Sequence, residues 1–149
     1  MRILMVCLGN ICRSPLAEGI LKEKVKTAQL NWEVDSAGTS GWHSGELPDR
    51  RSINIGAKYG IDITDQSSRK VRSVDYEDFD LIFAMDTQNQ KDLLSLATKE
   101  EADKIKLILN EIYPDENRSV PDPYWDDDGF EKVFQMLDKA CDAIITKYR

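Results

Sequence analysis

The apolar run Arg2–Cys7 passes directly into Leu8-Gly9-Asn10-Ile11-Cys12-Arg13 and then into Ser14-Pro15. Such a run, rich in β-formers and ended by Gly9 and Asn10, reads as a buried strand. Ser14 can cap a helix that has Pro15 in its first position. Leu16, Ala17, Ile20, Leu21 and Val25 then recur at helical spacing. A strand apolar on both faces and followed at once by a helix belongs in an open sheet covered by helices.

The rest of the chain repeats this alternation. Trp32–Ser36 alternates weakly, and Asp80–Met85 and Lys104–Leu109 are short apolar runs, which supply three further strands. Helices are expected over Arg51–Tyr59, ended by Gly60, over the polar stretch running to Leu96, and over the last segment. There Phe130, Val133, Phe134, Leu137, Cys141, Ile144, Ile145 and Tyr148 share one face. Gly38–Pro48 and Asp115–Asp128 read as loops. The pattern predicts an α/β fold, one domain over residues 1–149. It has a central, mainly parallel four-stranded sheet with helices on both faces and a phosphate-binding loop between the first strand and the first helix. A chain of 149 residues can bury one such core. Ligands in these sheets sit beyond the carboxyl ends of the strands, where residues 7–13 fall.

Composition narrows the function. Twenty basic against 27 acidic side chains give a net charge of −7, which argues against a nucleic-acid partner. No apolar run approaches the ~20 residues of a membrane span, and the opening run is too short for a secretory signal. Three cysteines do not form a disulfide framework, so a reducing, cytoplasmic setting is expected.

The turn after Cys7 has its own chemistry. Gly9 and Asn10 tolerate left-handed backbone, which lets the loop turn its N–H groups inward. Those amides and the positive end of the following helix make an anion site. A thiol set there is favoured as a nucleophile, and Arg13 can close over the anion with forked hydrogen bonds suited to phosphate oxygens. Other readings fit less well. The Cys7 and Cys12 spacing is wrong for the common zinc pairs, and His43 is the only histidine. The loop lacks the Gly-Lys-Ser/Thr ending of nucleotide-binding loops. No metal and no cofactor are expected. Cys141 sits in the apolar stripe of the last helix and reads as core.

The segment CLGNICRSP, with its C-x5-R-S pattern at the end of the first strand, resembles the low-molecular-weight protein tyrosine phosphatase family. The resemblance continues through Ser36-Ala37-Gly38-Thr39, Pro48-Asp49-Arg50-Arg51, Gly60-Ile61, Met85-Asp86 and Asp122-Pro123-Tyr124. It implies hydrolysis of a tyrosine-phosphorylated protein or peptide, with inorganic phosphate as product, by a monomer or weak dimer. It also implies that Cys7 is the nucleophile, that Arg13 and the amides of Leu8, Gly9, Asn10, Ile11 and Cys12 bind phosphate, and that Asp122 is the general acid and base. A phenol of pKa ~10 leaves more readily when protonated as it departs, which gives chemical sense to a carboxylic acid over the loop. Pro121 and Pro123 stiffen the chain around Asp122.

Further expectations follow from the same resemblance. Ser14 donates to the Cys7 sulfur, Asn10 fixes the loop in its left-handed turn against Ser36, and Trp42, Tyr124 and Trp125 wall a slot for a phenyl ring. Cys12 protects the nucleophile through a reversible disulfide with it. Tyr59 stands where many members carry a histidine, and Tyr124-Trp125 where many carry two tyrosines. Asp86, Asp49, Arg51 and Arg69 match family positions and are assigned no chemistry. Arsenate reductases of this fold need additional cysteines, and none lies between Cys12 and Cys141. Protein arginine phosphatases typically carry a threonine in place of Ile11. A non-catalytic phosphate-binding module has no need of Cys7 and Asp122 together.

Overall fold

The computed structural model describes residues 1–149. Four strands, β1 (Arg2–Cys7), β2 (Glu33–Gly38), β3 (Leu81–Ala84) and β4 (Ile105–Leu107), form one sheet in the order β2-β1-β3-β4, and every pairing is parallel. Alternation along β1 explains why its sequence is apolar throughout. Ile3, Met5 and Cys7 face one layer, while Leu4 and Val6 face the other. The first layer holds α1 (Arg13–Thr27), α2 (Arg50–Lys58) and α6 (Gly129–Tyr148), with Leu16, Ile20, Val133, Leu137 and Ile144 in its core. The second holds α3 (Ser73–Asp78) and α4 (Thr87–Ser95), with Tyr76, Phe79 and Leu93. No helix is long and apolar enough to cross a membrane.

The chain leaves β1 toward β2 on one side and returns to β3 on the other. The sheet therefore has its topological switch at the carboxyl ends of β1 and β3, where such sheets open a crevice.

Several local expectations need correction. The first helix starts at Arg13, after Cys12 in the capping position with no side-chain capping bond, so Ser14 and Pro15 both lie inside its first turn. Ser14 is not the cap because its hydroxyl bonds Cys7 and Asn10 instead. The fourth strand ends at Leu107 and runs into a 3-10 turn over Ile108–Glu111. Helix α3 and the four-residue α5 (Lys99–Ala102) were not expected, although Thr98 and Glu101 form a readable capping box. Tyr59 makes its own connection to α6. Its hydroxyl donates to Glu131, and its ring stacks on Phe134 at 4.4 Å between centroids.

The α3 layer is anchored by charge. Asp75 is fully buried and accepts from the Arg69 guanidinium at 2.9 and 3.2 Å and from the Arg72 amide at 2.7 Å. Burial disfavours the charged carboxylate, but these donors outweigh it and hold Asp75 below its ordinary value of 3.8. A lowered carboxyl stabilises the fold fully above that ordinary value and loses its contribution as pH falls through the folded-state value. Asp75→Asn is expected to cost about 3 kcal/mol in urea unfolding at pH 7, because Arg69 loses its buried partner. The gap to wild type should narrow in acid, and a gap constant from pH 7 down to pH 3 would refute this account.

Candidate active site

The segment joining β1 to α1 curls at the switch point. Asn10 takes a left-handed φ of 55°, which asparagine tolerates better than most side chains. The loop is gripped by its carbonyls. Cys7 O accepts from Thr39 N, Leu8 O from Ser40 N, and Ile11 O from Asp49 N, at 2.8–2.9 Å. Gly9 O accepts from the Ser68 hydroxyl at 3.0 Å and Cys12 O from the Ser52 hydroxyl at 3.1 Å. None of the amides of residues 8–12 donates to a backbone acceptor. With the carbonyls bonded outward, the loop offers its N–H groups to an anion. Gly38, opposite Cys7 in β2, must be glycine, because a Cβ there would meet Leu8 O at 2.7 Å and Ser40 O at 2.9 Å.

Cys7, 2% exposed, lies at the floor of a cavity of about 270 Å³. Its Sγ is 3.0 Å from the Ser14 hydroxyl. Arg13 is buried beside it, its Nη1 donating to Asp86 Oδ2 at 2.7 Å and to Val120 O at 2.9 Å. Both side-chain bonds of Asp86 are spoken for, since its other oxygen caps α4 at Asn89 N. The guanidinium is thus aimed before any ligand arrives. Asp122 stands across the cavity, half-exposed, with Oδ2 3.8 Å from Arg13 Nη2 and Oδ1 accepting from Tyr124 N at 3.0 Å. That last bond caps the 3-10 turn Pro123–Trp125, which fixes the carboxyl relative to the two aromatics behind it.

Leu8, Gly9, Ile11, Cys12, Trp42, Tyr124 and Trp125 all line the cavity. Trp42 and Trp125 are 76% and 88% exposed, so they form a rim rather than core. Tyr124 and Trp125 meet edge to face at 4.8 Å, and Arg51, held by Asp49 and Asp127, lies 5.5 Å from the Tyr124 ring centroid. The side chains of Asn10 and Ser14 do not line the cavity. Both residues are buried with their side chains turned into the network beneath the loop. There Asn10 Nδ2 donates to Ser14 Oγ at 2.8 Å and to Ser36 Oγ at 3.0 Å, and Asn10 Oδ1 accepts from Arg69 N at 3.0 Å.

The two loop cysteines differ in environment. Burial, reinforced by the carboxylates of Asp49 and Asp122, pushes the Cys12 thiol up to about 12, so it stays protonated. Cys7, Cys12 and Cys141 are all free, and burial drives Cys141 well above the ordinary thiol range. No three His, Cys, Asp or Glu side chains converge as a metal-ligand set.

Sequence reasoning missed three residues at the site. His43 lines the cavity against Gly9, its Cδ2 3.1 Å from where a Cβ would stand, with Nδ1 2.9 Å from Glu46. Its position beside Trp42 was the available signal. Asp86 orients Arg13 from the end of β3, a partnership between residues 73 positions apart. Glu18 is buried at 3% exposure beneath the loop, where burial pushes its carboxyl up against the opposing bonds from Lys22 and Ser36.

Comparison with known proteins agrees with this geometry. A family model described as low molecular weight phosphotyrosine protein phosphatase matches residues 2–149. The chain is 38% identical over 152 residues to low molecular weight phosphotyrosine protein phosphatase 2 of Drosophila melanogaster, covering 99% of this chain and 92% of that protein. It superposes on the crystal structure of a protein tyrosine phosphatase from Entamoeba histolytica with a TM-score of 0.93 at 38% identity, covering 99% and 96% of the two chains. A Drosophila arginine phosphatase structure superposes with a TM-score of 0.93 at 35% identity, covering 100% and 98%. Cys7 and Arg13 thus bound the anion loop of a chain that belongs to the low molecular weight phosphotyrosine protein phosphatase family.

Proposed function

We propose that this protein hydrolyses phosphotyrosine in a phosphoprotein substrate, releasing inorganic phosphate through a phosphocysteine intermediate. One observation carries the reading. The buried thiol of Cys7, the pre-aimed guanidinium of Arg13, inward amides and the carboxyl of Asp122 share a single cavity of about 270 Å³. In the first step the Cys7 thiolate attacks phosphorus and the P–O bond to the phenol breaks, while Asp122 gives its proton to the departing oxygen. The amides of residues 8–12 and Arg13 hold the equatorial oxygens as charge develops on them. In the second step water attacks phosphorus, its proton passes to Asp122, and the P–S bond breaks with its electron pair returning to sulfur.

The arginine phosphatase relative makes phosphoarginine the second reading. Ile11 weighs against it, since an apolar side chain on the wall offers nothing to guanidinium N–H groups, whereas it and the rim aromatics suit a phenyl ring. Phosphate release from phosphotyrosine, phosphoarginine and phosphoserine peptides, with EDTA present, tests the choice. Phosphotyrosine is expected to exceed the others in kcat/KM by about 10²-fold: phosphoserine is too short to reach the floor past the rim, and phosphoarginine, though long enough, finds no acceptor at Ile11 for its guanidinium N–H groups. Preference for phosphoarginine would overturn the use of Ile11 and leave the two-step chemistry standing. Loss of activity in EDTA would overturn the chemistry.

A further inference from the structure

Glu18 lies outside the cavity and reaches neither Cys7 nor any group that would touch substrate. A buried carboxylate is costly unless its oxygens are bonded, and both of these are. Oε1 accepts the Ser36 hydroxyl at 2.7 Å, and Oε2 accepts from the Lys22 ammonium at 2.5 Å. A serine hydroxyl has one hydrogen. Ser36 gives its hydrogen to Glu18, so toward Asn10 it can only accept, and the Asn10 amide donates to it. The second hydrogen of the same NH2 group goes to Ser14 Oγ, while Asn10 Oδ1 is held by the Arg69 amide. Ser14 already receives a donor, so its own hydrogen is free for the sulfur 3.0 Å away. Donation runs outward from Asn10 in two directions and ends on two acceptors, the Glu18 carboxylate and Cys7 Sγ.

We propose that Glu18, with Lys22, is a positioning residue for the second half of the reaction: by taking the Ser36 hydrogen it keeps Ser36 an acceptor that holds the Asn10 amide, and through it the Ser14 hydroxyl, in line to donate to Cys7 Sγ as the P–S bond breaks. The proposal rests on the phosphocysteine reading above. No proton is transferred along these hydrogen bonds. The Ser14 O–H only stabilises the electron pair arriving on sulfur, an interaction worth most when sulfur leaves as an anion.

Lys22 explains why the residue is glutamate rather than glutamine. An ammonium is donor-only and demands an oxygen. An amide at position 18 would turn its oxygen to Lys22 and its NH2 to Ser36. Ser36 would then face two donors, with no acceptor for its own hydrogen, and would compete for the Asn10 site. Removing Lys22 lifts that demand and lets the amide present its oxygen to Ser36 again.

Stopped-flow turnover of p-nitrophenyl phosphate separates the two steps, since phenolate release reports phosphocysteine formation and the steady state reports its hydrolysis. In Glu18→Gln the release phase is expected to stay within about threefold of wild type, while hydrolysis slows about tenfold, enlarging the burst. Glu18→Gln with Lys22→Met should recover most of that loss, a rescue that a packing role for Glu18 would not produce. Ser36→Ala, which leaves the Glu18–Lys22 pair intact, should show the same slowed second step and serves if Glu18→Gln does not fold. Unchanged hydrolysis in Ser36→Ala, or equal slowing of both steps in Glu18→Gln without recovery in the double variant, would overturn the proposal. Wild-type protein that turns over no p-nitrophenyl phosphate would overturn the phosphocysteine reading itself, and this proposal with it.

Discussion

Cys7→Ser is expected to lower turnover of phosphotyrosine peptide by about 10⁵-fold while leaving inorganic phosphate binding and thermal stability close to wild type. The substitution exchanges sulfur for oxygen within the same network and leaves the amides of residues 8–12 and Arg13 in place. A serine hydroxyl in this site has no free general base, since Asp122, the one carboxyl lining the cavity, must be protonated at that step to give its proton to the leaving oxygen. Its neighbours are Ser14, itself a donor, and the permanently charged Arg13. Nor can Cys12 substitute, with a thiol pushed up to about 12 by burial and nearby negative charge. Steady-state kinetics, phosphate titration calorimetry and a thermal melt check the three parts together. Residual activity above about one per cent would mean that another group attacks phosphorus, and lost phosphate binding would mean that the variant collapses the loop.

Asp122→Asn should produce the second largest effect, about 10³-fold on phosphotyrosine peptide, within the range usual for a lost general acid. Its diagnostic is dependence on the leaving group. p-Nitrophenolate departs readily without a proton, so its release should suffer far less than that of a tyrosine phenol. A series of aryl phosphates should therefore show a steeper dependence of rate on leaving-group basicity in the variant. A uniform loss across the series would assign Asp122 a purely structural role as the cap of the Pro123–Trp125 turn. Asp126 and Asp128, which follow in the same loop, do not line the cavity, and their asparagine variants should stay within about threefold of wild type.

The groups that make the site were readable in unequal measure, and chain separation explains the difference. Cys7 and Arg13 fall within one turn whose backbone behaviour follows from Gly9 and Asn10 alone, so strand, loop and nucleophile emerge together from a short stretch. The parity of Arg2–Cys7 likewise announces a strand buried on both faces. Asp122 needed the family resemblance, because the loop around it carries several other carboxylates. Asp86 and Glu18 were silent for another reason. Asp86 reads as an ordinary helix cap, which it is, and nothing local says that its second oxygen meets Arg13. Glu18 looks like a polar member of an amphipathic helix, and only the docking of β2 brings Ser36 onto it. Ser14 reads both as a cap and as a donor to Cys7, and capping propensity describes only an isolated helix end. Here the hydroxyl has better partners across the loop. Helix α3 escaped because six residues anchored by Asp75 to distant arginines have too few apolar positions to show a period.

Cys7 is the last residue of a strand enclosed on both edges by neighbours and on both faces by helices. Amides in such a strand exchange with solvent only when the whole domain opens, so the nucleophile belongs to the most cooperative unit of the molecule. The opposite wall has another character, since Trp125 rides on a three-residue turn and is nearly all in solvent. Sub-global fluctuations can therefore reshape the entrance for peptides of different sequence without displacing the sulfur. Tolerance toward the substrate and accuracy at the reacting atom are assigned to an exposed turn and an enclosed strand respectively.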